Sequence, residues 1–424
     1  MNVCVIGADY VGLTTSAVLA DFGHKVFCVD YDNEKIKRLL DGKSSIYEPG
    51  LESLILKNTE RGTLKFTTNF KEAVKKSTIV FITVTTERGM DKSTNLTFYL
   101  DVAKDLIPLI DSYKVILTKC TVPIGTNEQM INMFEEGGLG REYFDVVSNP
   151  EFVREGTAIA DMLHPDKIVL GVDNPKPITI LQKLYQKIDA PMIITNLNGA
   201  EMIKYASNAF LAVKLAFINE LAQISDSYKV DINDVALGLG TDPRIGPHLL
   251  QAGLGYGGSC LPLDLASLGN QSLERGTPPY LLQAAQKIND RLVDVYLDKL
   301  KELQQIKSTK ITVWGAAFNP NSDDNSHSPA MKLIERLVEE GAEVHVYDPV
   351  VTHIKSATLH DDLYKSVEHA SALIIATDLP HFLQADWNQV TNRMAGDLLL
   401  DCRNCLSPRV IKHHGLTYIG VARS

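Results

Sequence analysis

The chain has 424 residues, of which 45% are hydrophobic and 22% charged, a composition typical of a globular protein with more than one domain. Its net charge of -10 argues against nucleic acid as the main partner, because phosphate binding requires a surplus of Lys and Arg on one surface. No segment approaches the ~20 apolar residues that span a bilayer, and Met1 leads directly into an apolar run, so we predict a cytoplasmic protein without membrane contact.

The first part of the chain alternates short β-branched runs with helical segments. In order, these are "NVCVIG", a small-residue helix that ends near Gly23, "KVFCVD" and "NEKIKRLL". This alternation predicts βαβ units and a parallel sheet. Further strands are predicted at "TLKFTT", "STIVFITV", "KVILTK", "FDVVSN", "KIVLGV" and "MIITN".

The middle of the chain is different. From about residue 199, long helices are predicted over residues 200–228 and 279–305. From Lys310 the alternation returns, with strands at "KITVWG", "EVHVYD", "ALIIATD" and "LLLDC" and a helix over residues 328–341.

The two ends of the chain are variations on one unit. "NVCVIG…GHKVFCVD" has a glycine after one strand and Asp30 after the next, and "KITVWG…GAEVHVYD" repeats this from Gly315 to Asp348. We therefore predict an α/β fold of two Rossmann-like doubly wound domains joined by a central helical region. The predicted boundaries are 1–198, 199–305 and 306–424.

The segment "VIGADYVGL", residues 5–13, lies where a dinucleotide-binding fold has Gly-x-Gly-x-x-Gly after its first strand. Gly7 and Gly12 supply the first and third glycines, which make the tight bend and let the helix pack on the strand. Asp30 closes the second strand, where an acidic side chain accepts from the ribose hydroxyls of NAD and argues against NADP. The middle glycine is replaced by Asp9.

Asp9 has two interpretations. An aspartate near a helix start can cap the free backbone N–H groups. A pyrophosphate would use the same N–H groups, so the carboxylate would compete with it. A like charge about 4 Å away costs on the order of 4 kcal/mol at an effective dielectric near 20, roughly a thousandfold in affinity, and the cost shrinks if the side chain turns outward or binds a proton.

Several side chains have the spacing of catalytic groups. Cys260 follows four glycines in residues 253–258 and precedes Pro262, which predicts a helix start where a thiol becomes more nucleophilic, although one such cysteine could equally be buried and inert. Lys204 and Asn208 share a predicted helix face and could stabilise an oxyanion, but their spacing also fits a solvated face.

Glu151 and Glu155 lie one turn apart if a helix begins after Pro150. Two carboxylates so close raise the pKa of one of them, which suits a base that activates water. An acidic first turn favoured by the helix macrodipole explains the same spacing.

The six cysteines do not form the dense framework of a disulfide-stabilised domain, so we expect reduced thiols. Cys402 and Cys405 form one Cys-x-x-Cys pair, but no second pair or nearby histidine cluster completes a metal site. We therefore predict that the protein has no metal centre.

Ordered motifs cover almost the whole chain: "YEPGL" (47–51), "CTVPIGT" (120–126), "SNPEFVREGTA" (148–158), "AEMIKYASNAFLAVKLAFINE" (200–220), "DPRIG" (242–246), "GLGYGGSCLPLD" (253–264), "AAFNPNSDDNSHSPA" (316–330) and "DCRN" (401–404). In these motifs the chain resembles the UDP-glucose/GDP-mannose dehydrogenase family, and most closely its UDP-glucose 6-dehydrogenases. The resemblance implies two successive oxidations of the sugar C6 alcohol, with NAD as hydride acceptor and a cysteine that holds the intermediate.

The resemblance also implies roles for individual residues. The implied catalytic residues are Thr121, Glu151, Lys204, Asn208, Cys260 and Asp264. Lys204 and Asn208 would bind the oxyanion, Asp264 would work with water and the lysine, and Glu151 with Thr121 would hydrolyse the thioester formed on Cys260. The implied NAD contacts are Gly7, Tyr10, Val11, Gly12, Asp30, Thr86, Thr121 and Glu155. The implied UDP-sugar contacts are Phe152, Lys204, Asn208, Arg244, Tyr256, Gly257 and Arg403, with Arg244 reaching from the neighbouring subunit of a homodimer.

The chain departs from the family pattern around the NAD pyrophosphate. Asp9 replaces a glycine, and Leu263 and Ser326 stand where Lys and Arg are usual, which together predict weakened NAD binding. Asn319 replaces a usual lysine on the UDP-sugar side. Three functions stay open: oxidation of UDP-glucose, oxidation of another UDP-hexose such as UDP-N-acetylglucosamine, and a degenerate homologue that binds a nucleotide sugar without turnover.

Overall fold

The structure is a computed structural model that describes residues 1–44, 46–85, 94–319, 325 and 327–423. The chain divides into two compact units, Met1–Ser207 and Asn208–Ser424. Within the described ranges, no helix combines the length and the apolar character that a bilayer crossing requires.

The first unit contains one sheet. Its strands, within the described residues, are β1 (Asn2–Ile6), β2 (Lys25–Val29), β3 (Leu64–Thr67), β4 (Ile79–Ile82), β5 (Lys114–Thr118), β6 (Phe144–Ser148), β7 (Ile168–Val172) and β8 (Met192–Thr195). They lie in the order 3-2-1-4-5-6-7-8, which begins with the doubly wound order of dinucleotide-binding folds. The β6–β7 pair is antiparallel and the other pairs are parallel.

Helices cover both faces of this sheet. They are α1 (Tyr10–Asp21), α2 (Asn33–Leu40), α3 (Leu51–Glu60), α4 (Phe70–Lys76), α5 (Thr97–Leu106), α6 (Thr126–Glu136), α7 (Ala158–Leu163) and α8 (Ile178–Leu184). Alternate residues of β1 contribute to two separate apolar clusters, Val3 and Val5 to one, Cys4 and Ile6 to the other. This alternation is the period of a strand buried on both faces.

The chain passes from the first unit to the second within α9 (Leu197–Ser227), a helix of 31 residues. It is followed by α10 (Ile232–Gly240), α11 (Leu261–Glu274) and α12 (Tyr280–Leu303). The helices predicted over 200–228 and 279–305 differ from α9 and α12 by no more than three residues at either end. The sequence therefore located the helical middle of the chain correctly.

A second sheet follows these helices. Its strands, within the described residues, are β9 (Lys310–Trp314), β10 (Glu343–Tyr347), β11 (Thr358–His360), β12 (Ala372–Ile375), β13 (Leu398–Asp401) and β14 (Thr417–Gly420). The order is 11-10-9-12-13-14 and every pair is parallel, so the arrangement repeats that of β1 to β6. The accompanying helices are α13 (Pro329–Glu339), α14 (Leu363–Ser366), α15 (Pro380–Leu383), α16 (Trp387–Arg393) and α17 (Pro408–His413). The predicted pair of Rossmann-like folds is confirmed.

Candidate active site

The turn between β1 and α1 is tightly packed. Gly7 has a φ of +103°, and a Cβ there would lie 3.1 Å from the carbonyl oxygen of Thr83. A Cβ at Gly12 would lie 1.8 Å from the carbonyl oxygen of Gly7, so the helix approaches the turn too closely for any side chain. These are the requirements of the first and third glycines in a dinucleotide-binding turn.

Asp30 lies directly beside this turn. Its Oδ2 accepts from the backbone N–H of Ala8 at 2.8 Å and from Lys35 Nζ at 3.1 Å, while Oδ1 accepts from the N–H of Asp32 at 3.0 Å. The carboxylate borders a cavity of about 180 Å³, whose wall is completed by Ile6, Gly7, Asp9, Tyr31, Lys35, Val84 and Phe98. A glycine turn, an adjacent acid and a partly aromatic wall fit the adenosine and pyrophosphate of NAD.

Asp9 turns its carboxylate away from the helix N–H groups, the case for which a smaller cost to pyrophosphate binding is expected. It occupies the N-cap position of α1, but its side chain makes no capping hydrogen bond, so the capping interpretation is wrong. Its Oδ1 pairs with Lys35 Nζ at 2.7 Å, and its Oδ2 accepts from the hydroxyl of Thr85 at 2.9 Å. Because the carboxylate is turned toward Lys35 rather than toward the helix N–H groups, its charge is offset without blocking them.

Tyr10, an expected NAD contact, joins the turn to a distant segment. Its hydroxyl donates to Glu48, and the N–H of Gly156 donates both to Glu48 Oε2 at 2.9 Å and to the Tyr10 oxygen at 3.0 Å. Burial, followed by the Glu48 carboxylate, holds the pKa of Tyr10 above its ordinary value. The half-buried Glu155 lies in the segment so joined, Val11 is half-buried in the first turn of α1, and Thr86 lies outside the described residues.

Glu151 and Lys204 form a buried ion pair. They are 8% and 3% exposed, and Lys204 Nζ lies 2.8 Å from Glu151 Oε1. The other carboxylate oxygen accepts from the N–H of Val153 at 2.7 Å, and the Lys204 ammonium lies 5.5 Å from the centre of the Phe152 ring. The pair brings a potential base and a potential oxyanion ligand together within the first unit.

The expected helix after Pro150 is absent: residues 151–157 are not helical, and α7 begins at Ala158. Glu151 and Glu155 therefore do not share a helix face, and that prediction is wrong. The side chain of Glu151 accepts from the N–H of Val153 two residues on, a local hydrogen bond that competes with helix formation.

Lys119, directly after β5, was missed by the sequence reasoning. It is 8% exposed, and its Nζ lies 3.5 Å from Oδ1 of Asn149, which also accepts from Tyr185 at 2.5 Å. Burial lowers the pKa of Lys119 to about 8, with Glu151 opposing that shift and Lys204 adding to it. The available signal was a lysine at the carboxyl end of the buried run "KVILT", two residues before the half-buried Thr121.

The second unit contains the remaining catalytic candidates. Cys260 is exposed at the N-cap of α11, as its sequence surroundings predicted. The N–H of Asp264 donates to the carbonyl of Cys260 at 2.8 Å, one helical turn away, and Leu263 is half-buried between them. Asn208 Nδ2 donates to Asp264 Oδ2 at 2.7 Å, and both side chains are buried.

The glycine-rich loop before Cys260 packs against the segments that follow β9. A Cβ at Gly257 would lie 2.5 Å from the carbonyl oxygen of His327, and one at Gly258 would lie 2.7 Å from the ring of Phe318. Tyr256 in this loop is 6% exposed, and its buried hydroxyl has no hydrogen-bond partner among the described residues. Because buried polar groups are normally satisfied, this hydroxyl fits a ligand contact.

The two arginines expected to hold the UDP-sugar differ in their surroundings. Arg403 is half-buried, and its Nε donates to the carbonyl of Ala376 at 2.8 Å. Arg244 has an 87% exposed side chain that pairs with Asp242 at 2.6 Å. Asn319 is half-buried after β9, while Ser326 lies outside the described residues.

Three family models match successive parts of the chain. They describe the UDP-glucose/GDP-mannose dehydrogenase family: its NAD binding domain over residues 1–189, its central domain over 198–291 and its UDP binding domain over 312–408. The chain belongs to the UDP-glucose/GDP-mannose dehydrogenase family. This dehydrogenase therefore uses NAD and acts on a UDP-sugar.

Relatives of this dehydrogenase span its whole length. YtcA of Bacillus subtilis is 43% identical over 430 residues, covering 100% of both chains, and UDP-glucose 6-dehydrogenase TuaD of the same organism is 38% identical, covering 100% of this chain and 93% of TuaD. The UDP-glucose dehydrogenase structure from Pyrobaculum islandicum matches with a TM-score of 0.91 at 32% identity, covering 100% and 98% of the two chains. The UDP-D-ManNAc dehydrogenase of Pyrococcus horikoshii matches with a TM-score of 0.89 at 29% identity, covering 100% and 99%.

Proposed function

We propose that this dehydrogenase oxidises the C6 alcohol of UDP-glucose to the carboxylate of UDP-glucuronate in two NAD-dependent steps. The observation that carries the proposal is the retained set of reacting groups: the exposed thiol of Cys260 at a helix start, the Asn208–Asp264 pair and the buried Glu151–Lys204 pair. Relatives named for UDP-glucose support this sugar as the substrate.

The Gly7–Gly12 turn and Asp30 would hold NAD, and two NAD molecules bound in succession would each accept one hydride. The Cys260 thiolate would attack the carbon of the aldehyde left by the first oxidation, forming the sulfur–carbon bond. The carbonyl oxygen then gains negative charge, which the amide of Asn208 and the ammonium of Lys204 can stabilise by hydrogen bonds.

The second oxidation leaves a thioester on the Cys260 sulfur. Water attacks its carbonyl carbon, with Glu151 proposed to take the proton and Thr121 to hydrogen-bond the water, and the carbon–sulfur bond breaks to return the thiolate. Each catalytic cycle thus consumes one water molecule and transfers two hydrides from C6 to NAD.

Turnover with UDP-glucose and NAD tests this proposal directly. We expect two NADH per UDP-glucuronate, and a roughly thousandfold or larger loss of kcat in Cys260→Ser. Cys405→Ser is the matched control, because this half-buried cysteine is far from Cys260 in the sequence. The substitution should leave kcat unchanged. No NADH formation at saturating NAD and UDP-glucose would contradict the assignment.

The structural similarity to a UDP-D-ManNAc dehydrogenase favours one competing substrate class, the acetamido sugars. Comparing kcat/KM for UDP-glucose, UDP-N-acetylglucosamine and UDP-N-acetylmannosamine decides between them, and a higher value for either acetamido sugar would overturn the proposed substrate. Sugar binding without turnover, with turnover restored in the triple variant Asp9→Gly, Leu263→Lys and Ser326→Arg, would instead indicate a homologue that has lost its cofactor.

We also propose that the active unit is a homodimer. Three large apolar side chains recur every seven residues along α9: Phe210, Phe217 and Ile224, which are 63%, 48% and 49% exposed. Residues at this spacing lie on one side of a helix, and an exposed apolar stripe of this kind is typical of an interface. Phe217→Glu should give a monomer in analytical ultracentrifugation, whereas Glu220→Gln on the same helix should not change the mass.

A further inference from the structure

We propose that Glu201 is a positioning residue for the step in which water attacks the thioester. It fixes the loop of residues 119–125, hereafter the Thr121 loop, against the turn of α9 that carries Lys204. The inference rests on the proposed function, because it takes Thr121 and the Glu151–Lys204 pair as the groups that handle this water. All of these residues lie within the first unit.

The carboxylate of Glu201 binds the amino end of α6. It is 3% exposed, its Oε2 accepts from the N–H of Gly125 at 2.6 Å, and its Oε1 accepts from the N–H of Asn127 at 3.0 Å. Burial raises the pKa of Glu201, and these N–H donors oppose the rise. Gly125 is the N-cap residue of α6 and has no side chain with which to satisfy the free N–H groups of a helix start. Glu201 therefore supplies this cap from α9, with a carboxylate at the positive end of the helix macrodipole.

A chain of buried hydrogen bonds ends on the same carboxylate. Asn127 Nδ2 donates to Glu201 Oε1 at 2.6 Å, and Asn127 Oδ1 accepts from the hydroxyl of Thr118 at 2.6 Å. The Thr118 hydroxyl has one proton, so the contact of 2.7 Å between the Thr118 and Tyr99 hydroxyls is donated by Tyr99. Each bond is donated in the direction of the carboxylate, and Tyr99, Thr118 and Asn127 are at most 1% exposed. Hydrogen bonds aligned in this way in a buried chain strengthen one another.

These bonds close the Thr121 loop at its base. Thr118 ends β5 directly before the loop, and Asn127 lies in the first turn of α6 just after it, so their side-chain contact ties the two ends of the loop together. At the second end, the N–H and the hydroxyl of Thr126 both donate to the carbonyl of Pro123, at 3.1 and 2.6 Å. Removing the Glu201 carboxylate would therefore loosen both ends of the loop at once.

The same turn of α9 carries Lys204. Glu201 and Lys204 are three residues apart, a spacing that places two side chains next to each other on one side of a helix. Lys204 Nζ lies 2.8 Å from Glu151 Oε1, while Glu201 reaches the start of α6. One turn of α9 thereby binds the segments that follow two adjacent parallel strands, β5 and β6. Glu201 thus sets the position of Thr121 relative to the Glu151–Lys204 pair.

Glu201→Gln tests the role, because it keeps the shape and replaces one acceptor oxygen by an NH₂ group that faces N–H donors. We expect kcat to fall roughly tenfold to a hundredfold, since misplacing a reacting group by about 1 Å costs up to that much. Slow hydrolysis should leave the thioester on Cys260, seen as a burst of about two NADH per active site and as a covalent adduct in mass spectrometry. KM for UDP-glucose should fall with kcat, because the intermediate accumulates. A protein that is only less stable shows no burst, and that result would overturn the inference.

A second substitution should restore the contact with its donor and acceptor exchanged. In the double variant Glu201→Gln with Asn127→Asp, the new amide donates to the new carboxylate, which still accepts from the Thr118 hydroxyl. We expect kcat to recover by about tenfold over Glu201→Gln alone, a coupling typical of residues in direct contact. If the losses of the two single variants simply add, the contact does not position the loop and the inference fails.

Asp145 offers a matched control, because it is a buried carboxylate at the other end of β6 from Glu151. It is 1% exposed and accepts from the hydroxyl of Tyr113 and from Asn174 Nδ2, the latter at 2.6 Å. Asp145→Asn should lower Tm, but it should leave kcat unchanged and give no burst. Equal losses of kcat in Asp145→Asn and Glu201→Gln would make general loss of a buried carboxylate the cause and would overturn the inference.

Alkylation of Cys120 supplies a readout independent of turnover. This thiol lies in the Thr121 loop and is 9% exposed, so its reaction with iodoacetamide reports opening of the loop. Glu201→Gln should speed this reaction at least about tenfold by peptide mass spectrometry, since a hydrogen bond to a charged group shifts an opening equilibrium by about that factor, whereas Asp145→Asn should not. If Glu201→Gln does not fold, Thr118→Val removes one donor of the chain at similar volume and should give the same changes at smaller size.

The two readouts separate failure of the inference from failure of the proposed function. Unchanged alkylation of Cys120 in a folded, active Glu201→Gln protein would overturn the inference and leave the proposed function standing. Absence of turnover in the parent protein would overturn the proposed function, and with it the role of Glu201 in the water step.

Discussion

The glycine turns that open the two sheets share a topology but differ in chemistry. Gly7 and Gly315 each follow the strand that comes first in the chain order of their sheet, with φ of +103° and +93°, and an aspartate stands at the end of the neighbouring strand in each case. Asp348 is 6% exposed, and its carboxylate accepts from the backbone N–H groups of Ala316, Ala317, Val350 and Val351. Asp30 accepts from two backbone N–H groups and an ammonium and borders a cavity.

This difference shows that strand order alone does not make a dinucleotide site. The carboxylate of Asp348 accepts from four backbone N–H groups of neighbouring segments and thereby stabilises the second turn. Asp30 pairs with Lys35 and borders a cavity, so it can accept from the hydroxyls of a bound nucleoside. The match of the family's NAD binding domain to residues 1–189 agrees with this distinction.

The largest expected effect comes from filling the first turn. Gly12→Ala places a Cβ 1.8 Å from the Gly7 carbonyl oxygen, so the helix must move away from the turn. We expect a loss of about 3 kcal/mol in unfolding free energy, measured by urea denaturation, together with loss of NAD binding. Gly238→Ala is the control: it lies in helix α10 with open space around it and should raise stability by about 0.5–1 kcal/mol. Equal effects of the two variants would contradict the packing argument.

Substitutions of Asp348 and Asp30 should lower the stability by different amounts, both smaller than that of Gly12→Ala. Asp348→Asn replaces one acceptor oxygen by an NH₂ group that faces backbone donors, so it should lose about 2 kcal/mol of unfolding free energy. The Kd for NAD should not change, because this carboxylate does not face the cavity beside Gly7. A higher Kd for NAD in a fully folded Asp348→Asn protein would show that the second turn contributes to the cofactor site.

Asp30→Asn should show the reverse pattern. The Ala8 N–H can still be accepted by the amide oxygen, but charge-assisted acceptance of the ribose hydroxyls is lost. We expect Kd for NAD to rise about tenfold by calorimetry, with a smaller loss of stability than in Asp348→Asn. An unchanged Kd would place the dinucleotide somewhere other than this cavity.

The smallest effect is expected at Asp9. Because Lys35 offsets its charge and the carboxylate is 45% exposed, Asp9→Asn should tighten NAD binding by only about threefold. Asp41→Asn, an exposed aspartate at the end of α2, should not alter the Kd. A thousandfold tightening in Asp9→Asn would mean that Lys35 does not compensate the charge.

Much of the fold was predictable because its strands are short, buried and separated by helices. The predicted runs match β1 to β10, β12 and β13, whereas β11 and β14 were missed. β11 and β14 lie at the two edges of the second sheet, with three and four residues. Edge strands this short are partly exposed and give little hydrophobic pattern to detect.

The site was predictable where the signal was local. The glycines of the first turn, Asp30 and the helix start at Cys260 follow from spacing along one segment. The contact of Asp9 with Lys35 spans 26 residues and depends on the pairing of β1 with β2, so no local pattern reports it. Lys119 escaped notice for the same reason, because its charged neighbours come from two other elements.

The hydrogen bonds among Tyr10, Glu48 and Gly156 join the Gly7–Gly12 turn to the stretch of backbone that begins at Glu151. A displacement of the turn would therefore be transmitted to this stretch through side-chain hydrogen bonds, all of them within the first unit.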